Sequence, residues 1–188
     1  VPYQVSPRPL VTRMDLLAAA KVDPPKTWDE LIEVSKKLQK PPKLLGFGMC
    51  LGLTTDTEGN VIDLIWGHGG KLVEADDKTV ALNSPGTVQA VKMIADMYLK
   101  HKIIPRDSIS WNNQGNNKAF QSRQVIFVVN SSSIYAHIGE SDKELYEVTG
   151  MLPTPGGPAG QFDRVGTAEW WLFKHNPYPE VAKGLIQY

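Results

Sequence analysis

The sequence predicts an α/β fold, a central sheet flanked by helices. Three observations carry that expectation. Segments with helical apolar spacing alternate with short apolar runs. The connections between them are short and are marked by Pro, Gly or polar clusters. Val125-Ile126-Phe127-Val128-Val129 is five apolar residues in a row, four of them β-branched, as suits a strand covered on both faces.

Residues 1–12 contain Pro2, Pro7 and Pro9 and read as an extended edge strand or connector. Arg13 to Val22 reads as a short helix that Pro24-Pro25 stops. Thr27-Trp28-Asp29-Glu30 is a capping box, in which hydroxyl and carboxylate satisfy reciprocal backbone N–H groups. The helix behind it reaches about Lys40, with Trp28, Leu31, Ile32, Val34 and Leu38 as its apolar stripe. Leu44 to Leu53 is expected to be a buried strand, Thr54 to Asn60 a polar loop, and Val61 to Trp66 a short helix. Gly67, Gly69 and Gly70 end that helix, and helix termination accounts for Gly67-His68-Gly69-Gly70 better than phosphate binding does.

Lys78 to Leu82 reads as a strand. Ser84-Pro85 starts a helix by cap and first-turn proline, with Val88, Val91, Ile94, Ala95, Tyr98 and Leu99 as its expected core face. A short helix is expected within Trp111 to Gln121, ahead of the Val125 strand. Asn130 to Ser133 breaks that strand, and Pro153 to Gly160 is loop. Thr167 to Phe173 reads as a strand, and Pro179 opens a final helix.

Composition narrows the function classes. The 188 residues carry 20 basic and 20 acidic side chains, a formal net charge of zero. Nucleic-acid binders and polybasic membrane anchors usually show a basic excess. Cys50 is the single cysteine, so neither an intrachain disulfide nor a cysteine zinc cluster can form, and it reads as a buried inert thiol. No run approaches the roughly 20 apolar residues of a membrane-spanning helix. The chain starts in an extended segment and ends on a helix without a stop signal, so it is expected to be a piece of a longer protein. Any targeting segment would then lie upstream.

No Gly-x-Ser-x-Gly, His-Glu-x-x-His or P-loop pattern is present, and the four histidines lie far apart. No cofactor and no metal is expected. The tryptophans say more. Trp28 and Trp66 read as core. In a strand, Trp170 and Trp171 would face opposite ways, so one can meet a ligand. An indole beside the Glu169 carboxylate suits a sugar, its flat ring covering C–H groups while the carboxylate accepts from hydroxyls. Ligands of open α/β sheets sit beyond the strand ends. Thr54 to Asn60 and Asn130 to Ser133 follow strands, and they are rich in hydroxyl, amide and carboxyl groups and poor in cations.

These features together resemble the extracellular solute-binding proteins of ABC sugar importers, the maltose-binding-protein-like family. The resemblance rests on Asp15 to Val22, on Pro24-Pro25-Lys26-Thr27-Trp28-Asp29-Glu30-Leu31 and on Gly69-Gly70. It rests also on Leu82-Asn83-Ser84-Pro85-Gly86-Thr87, the Pro153 to Gly160 loop, and Gly166 before Trp170-Trp171. It implies a periplasmic binding protein-like lobe, the second of two, with residues 1–12 as hinge connector and 13–188 as the lobe. It implies capture of a sugar or other small polyol by hinge closure in a cleft between lobes, and no enzymatic activity. ABC transporter permease subunits would be partners, in a periplasmic or extracellular location, membrane-associated through the transporter. The implied ligand-binding residues are Tyr3, Asp56, Glu58, Asn60, Asn130, Ser131, Ser133, Glu169, Trp170 and Trp171. The family often has a stacking tryptophan after the strand equivalent to Val125–Val129. Here Ser131-Ser132-Ser133 stand there, which leaves Trp170 or Tyr135 to provide the platform. The residues by themselves leave open a carbohydrate-active enzyme domain, a hydrolase or lyase, and a protein-interaction domain.

Overall fold

A computed structural model describes residues 2–187, and of Pro2 the backbone alone. Val1 and Tyr188, at the ends of the expected connector and final helix, lie outside the described residues. The strands are β1 (Pro2–Pro7), β2 (Leu10–Arg13), β3 (Leu45–Phe47), β4 (Val125–Val129), β5 (Thr149–Leu152) and β6 (Val165–Glu169). The α-helices are α1 (Met14–Ala20), α2 (Trp28–Leu38), α3 (Thr55–Gly67), α4 (Pro85–Ala95, continued by a π-helical turn over Asp96–Lys100), α5 (Gly115–Gln121), α6 (Ser133–Ser141), α7 (Lys143–Glu147) and α8 (Pro179–Gln187), and Arg106–Ser110 is a 3-10 turn.

A four-stranded sheet in the order β3-β4-β2-β5 holds the core. β4 pairs parallel with β3 and antiparallel with β2, so it lies between two strands and all five of its residues are buried. Successive residues face opposite sides. Leu10 joins Trp28, Leu31, Phe47 and Phe127 in one cluster, and its neighbour Val11 joins Phe120, Val128, Ile134 and Leu145 in another. Helices therefore cover both faces, as the α/β expectation required.

The capping box of α2 forms as read. Thr27 Oγ1 accepts from the Glu30 N–H at 3.2 Å, and Glu30 Oε2 accepts from the Thr27 N–H at 3.3 Å. Trp28 is buried, and Ser35 lies against β3, where a Cβ on Gly46 would come within 2.2 Å of the Ser35 Cβ.

Five expectations need correction. Thr54 to Asn60 is not a loop. Thr54 Oγ1 caps the Thr57 N–H at 3.2 Å, Asp56 and Glu58 suit the positive end of the dipole, and α3 runs unbroken from Thr55. β3 ends at Phe47, well short of Leu53. Lys78 to Leu82 forms no strand beyond the single bridge Val73–Val80. Asp76 holds a turn there, accepting from Lys78 N, Thr79 N and Thr79 Oγ1 at 3.0, 2.8 and 2.6 Å, and these bonds hold its pKa down to about 2. In α4 the buried residues are Thr87, Ala90 and Ile94, followed by Met97, while Val88, Val91 and Leu99 face outward. Small side chains let α4 pack close against α3, and shape rather than apolar count set its face. β6 stops at Glu169, so Trp170, Trp171 and Phe173 lie beyond the strand. α6, α7 and β5 lacked a clear period and were not anticipated.

β1 and β6 form a separate antiparallel two-stranded ribbon, with Pro2 opposite Glu169 and Pro7 opposite Val165. Arg8 and Pro9 join β1 to β2, so the ribbon grows directly out of the central sheet.

Candidate solute-binding site

The first turns of α3 meet the ends of β1, β4 and β6 at a buried polar junction. Asp56 is its centre. Its Oδ1 accepts from Arg8 Nη2 at 3.0 Å, and its Oδ2 accepts from Asn116 Nδ2 at 3.2 Å and Asn130 Nδ2 at 3.4 Å. Asn130 Nδ2 also donates to Asn117 Oδ1, and Asn130 Oδ1 accepts from the Ser131 N–H at 2.6 Å. Ser131 Oγ bonds Ser6 Oγ of β1 at 2.8 Å and accepts from the Ser133 N–H at 3.3 Å. The strand break after β4 is thus tied both to α3 and to the ribbon.

The polar stripe continues along α3. Asn60 and Asp63 follow Asp56 at helical spacing and are buried. Neither amide atom of Asn60 has a hydrogen-bond partner among the described residues. Arg164 Nε lies 3.3 Å from Asp63 Oδ1, an ion pair at an angle outside hydrogen-bond geometry. Burial is the largest influence on the Asp63 carboxyl. It outweighs the attraction of Arg164 and Arg8, and repulsion from Asp163 adds to it, so the pKa is pushed up to about 6.

Above the stripe lies an open cavity of about 610 Å³, bounded by Arg8, Thr55, Glu58, Trp66, Asp163, Arg164, Val165 and Gly166. Thr55, Glu58 and Trp66 share one face of α3, and the rest come from the start of β6 and the β1–β2 link. Two larger cavities, about 670 and 940 Å³, are walled by Pro41, Pro42, Tyr98 and Leu99 and by Pro24, Pro25, Leu152 and Pro153. Neither is lined by any of the sequence-predicted residues.

The structure brings the predicted residues into two groups. Asp56, Asn60, Asn130, Ser131 and Ser133 belong to the junction, and Glu58 faces the cavity. Tyr3 and Trp170 meet at the far end of the ribbon with ring centroids 5.1 Å apart. Glu169 pairs with Pro2 in that ribbon, and Trp171 is exposed. From Ser6 to Tyr3 is about 10 Å of strand, so the aromatic group sits away from the junction. Tyr135 packs against Tyr146, centroids 4.4 Å apart, within the α6–α7 cluster.

Sequence reasoning missed Arg8, Trp66 and Arg164. Reading Thr54 to Asn60 as loop hid the spacing that puts Glu58 and Trp66 on one helix face. Trp66, expected in the core, does pack against the main core cluster but is only half-buried, and its ring meets Phe162 at 6.4 Å between centroids. The loops taken alone are poor in cations, yet the fold delivers two guanidinium groups from elsewhere. Arg8 faces Asp56 and Arg164 faces Asp63, which leaves Glu58 and Asp163 as an acidic excess. The Cys50 thiol is buried, its Sγ donating to the Asn112 carbonyl at 3.4 Å, and burial pushes its pKa up, in keeping with an inert role.

The match to known proteins is decided by a family model for bacterial extracellular solute-binding proteins, which matches residues 1–188. The chain belongs to this family. A probable ABC transporter-binding protein of Deinococcus radiodurans is 26% identical over 192 residues, covering 95% of this chain and 44% of its own length. Maltose-bound MalE3 of T. maritima superposes with a TM-score of 0.89 at 26% identity, over 100% of this chain and 49% of MalE3. A solute-binding protein of Agrobacterium radiobacter in complex with ribitol gives 0.83 at 24% identity, over 99% of this chain and 47% of its own. The last likeness speaks to the fold. The chain spans about half the length of the solute-binding proteins it matches, and its architecture is that of a periplasmic binding protein-like lobe. No helix among the described residues is long and apolar enough to cross a membrane.

Proposed function

We propose that the chain forms one lobe of a solute-capture protein serving an ABC importer, and that it holds an uncharged sugar or polyol in the cavity over α3. The observation that carries this reading is the composition of the cavity wall. The Trp66 ring offers a flat apolar surface, while Glu58, Asp163, Arg8 and Arg164 offer hydrogen bonds to hydroxyls. Its volume falls in the range of small-molecule sites. Both arginines face carboxylates of α3, so an anionic ligand would find no cation without a partner there. The maltose of the MalE3 complex supports the same class.

In this reading residues 1–12 and the β6 strand connect the lobe to the rest of the protein, and the ligand is enclosed when a second lobe closes over the cavity. Tyr3, Trp170 and Trp171, on the ribbon end, then belong to the enclosing side rather than to the floor. Closure requires contacts from both lobes, so this lobe by itself binds weakly. The permease is the partner of the closed form, outside the cytoplasmic membrane.

A thermal-shift screen of the full-length protein against neutral sugars, polyols and sugar phosphates tests the assignment, because a ligand of the native state raises its melting temperature. A neutral sugar or polyol is expected to give the largest rise, and Glu58→Ala to abolish it. A rise with sugar phosphates alone would overturn the assignment. Calorimetric titration of the isolated lobe with the same hit is expected to show binding weaker than micromolar.

A further inference from the structure

We propose that Arg8 and Arg164 are paired positioning residues, which together fix the β1–β6 ribbon, and so the Val165–Gly166 wall of the cavity, to α3. Arg8 directly follows β1 and Arg164 directly precedes β6. Pro7 pairs with Val165, so the two arginines leave the ribbon side by side at its base. Both reach the same helix. Arg8 Nη2 lies 3.0 Å from Asp56 Oδ1, and Arg164 Nε lies 3.3 Å from Asp63 Oδ1, two helical turns along.

The helix is shaped for the second contact. A Cβ built on Gly59 would stand 1.6 Å from Arg164 Nη2, so the guanidinium crosses α3 where the side chain is missing. Glycine in a helix interior is unfavourable by itself, and here close approach requires it.

Apolar burial does not hold the ribbon. Val5 is 68% exposed and Val165 54% exposed. A two-stranded ribbon is marginal alone. Besides the arginines, polar ties at its base include Ser6 Oγ to Ser131 Oγ, the Arg8 carbonyl, which accepts from Thr154 Oγ1 at 3.1 Å, and Asp163 Oδ1, which accepts from the Thr154 N–H at 2.9 Å. Burial raises the Asp63 pKa against the opposing attraction of Arg164 and Arg8.

The inference rests on the proposed function only in treating the wall as a ligand wall, and its test needs no ligand. Amide hydrogen exchange is measured in the full-length protein for wild type, Arg164→Met, Arg164→Lys and Gly59→Ala. Met and Lys have similar reach and volume, and Lys alone keeps the charge. Arg164→Met and Gly59→Ala are expected to speed exchange at β1 and β6 about tenfold while β4 is unchanged, and Arg164→Lys to stay within about threefold of wild type. Equal loosening in Met and Lys would reduce the contact to packing and overturn the proposal. Unchanged ribbon exchange in Arg164→Met, or loosening of β4 to the same degree, would overturn it as well. A neutral-sugar screen that fails while these exchange results hold would count against the proposed ligand class alone.

Discussion

The four-stranded sheet and the β1–β6 ribbon are built from the same element and held by opposite means. In the sheet, β2 and β4 are buried throughout, and helices cover both faces. In the ribbon, every residue of β6 except Ala168 is exposed, and so are Tyr3, Gln4, Val5 and Pro7 of β1. The sheet is fixed by apolar area removed from water, which is large and non-directional. The ribbon is fixed at one end by Asp56, Asp63, Arg8, Arg164 and a serine pair, which are directional. Burial specifies the fold, and the polar anchor specifies where the ribbon stands on it.

That comparison can be broken in three places. Phe127→Ala in β4 removes a fully buried ring and is expected to cost about 3–5 kcal/mol in urea denaturation. A loss below about 1 kcal/mol would mean that the sheet is not the seat of stability.

Asp63 gives the next effect, through pH. Its folded pKa is about 6, above the ordinary 3.8. The folded state therefore binds a proton more readily than the unfolded chain between those values. The group's contribution is most favourable below about pH 4 and falls as pH rises to about 6, then levels off. Asp63→Asn carries no such titration. Its stability relative to wild type is expected to rise by on the order of 2 kcal/mol from pH 4 to pH 7. A difference independent of pH would remove the buried carboxylate from the account.

The smallest effect belongs to the ribbon. Val165→Ala, at an exposed position, is expected to change stability by less than about 0.5 kcal/mol. A loss near that of Phe127→Ala would show that the ribbon is held by apolar burial after all.

The sequence made much of this visible. Thr27 and Glu30 lie near each other along the chain, and a capping box can be read because both partners are local. Val125 to Val129 could be placed in the interior because an unbroken β-branched run has few other destinations. The family resemblance could be read from the Pro-Pro-Lys-Thr-Trp stretch and its companions for the same reason, since each is a short local pattern. Composition excluded a disulfide, and the absence of catalytic patterns agrees with a family defined by solute binding.

The site was less legible. Asp56, Asn130 and Ser131 could be named as polar groups at strand ends, but the local signs that Asp56 lies on a helix, the Thr54 cap and the acidic first turn, are weak beside Gly59 and Asn60. Asp56 to Asn130 spans 74 positions, and Ser6 to Ser131 spans 125. Arg8 and Arg164 look like ordinary charged residues of extended segments until topology sets Pro7 opposite Val165. Glycine and asparagine in the middle of α3 argue locally for a loop, and the close approach of Arg164 and the buried polar stripe override that preference. The face of α4 was misjudged for a related reason, because the partner's shape, not the helix's own period, chose Thr87 and Ala90 over Val88 and Val91.

By itself the sequence determined the α/β class, the capped α2, the buried β4 and the family, all of which rest on local spacing or short motifs. Only the tertiary structure decided that two arginines from opposite ends of the chain seat on one helix and wall a cavity beside Trp66. Charge and shape complementarity act across space, and no period along the chain records them.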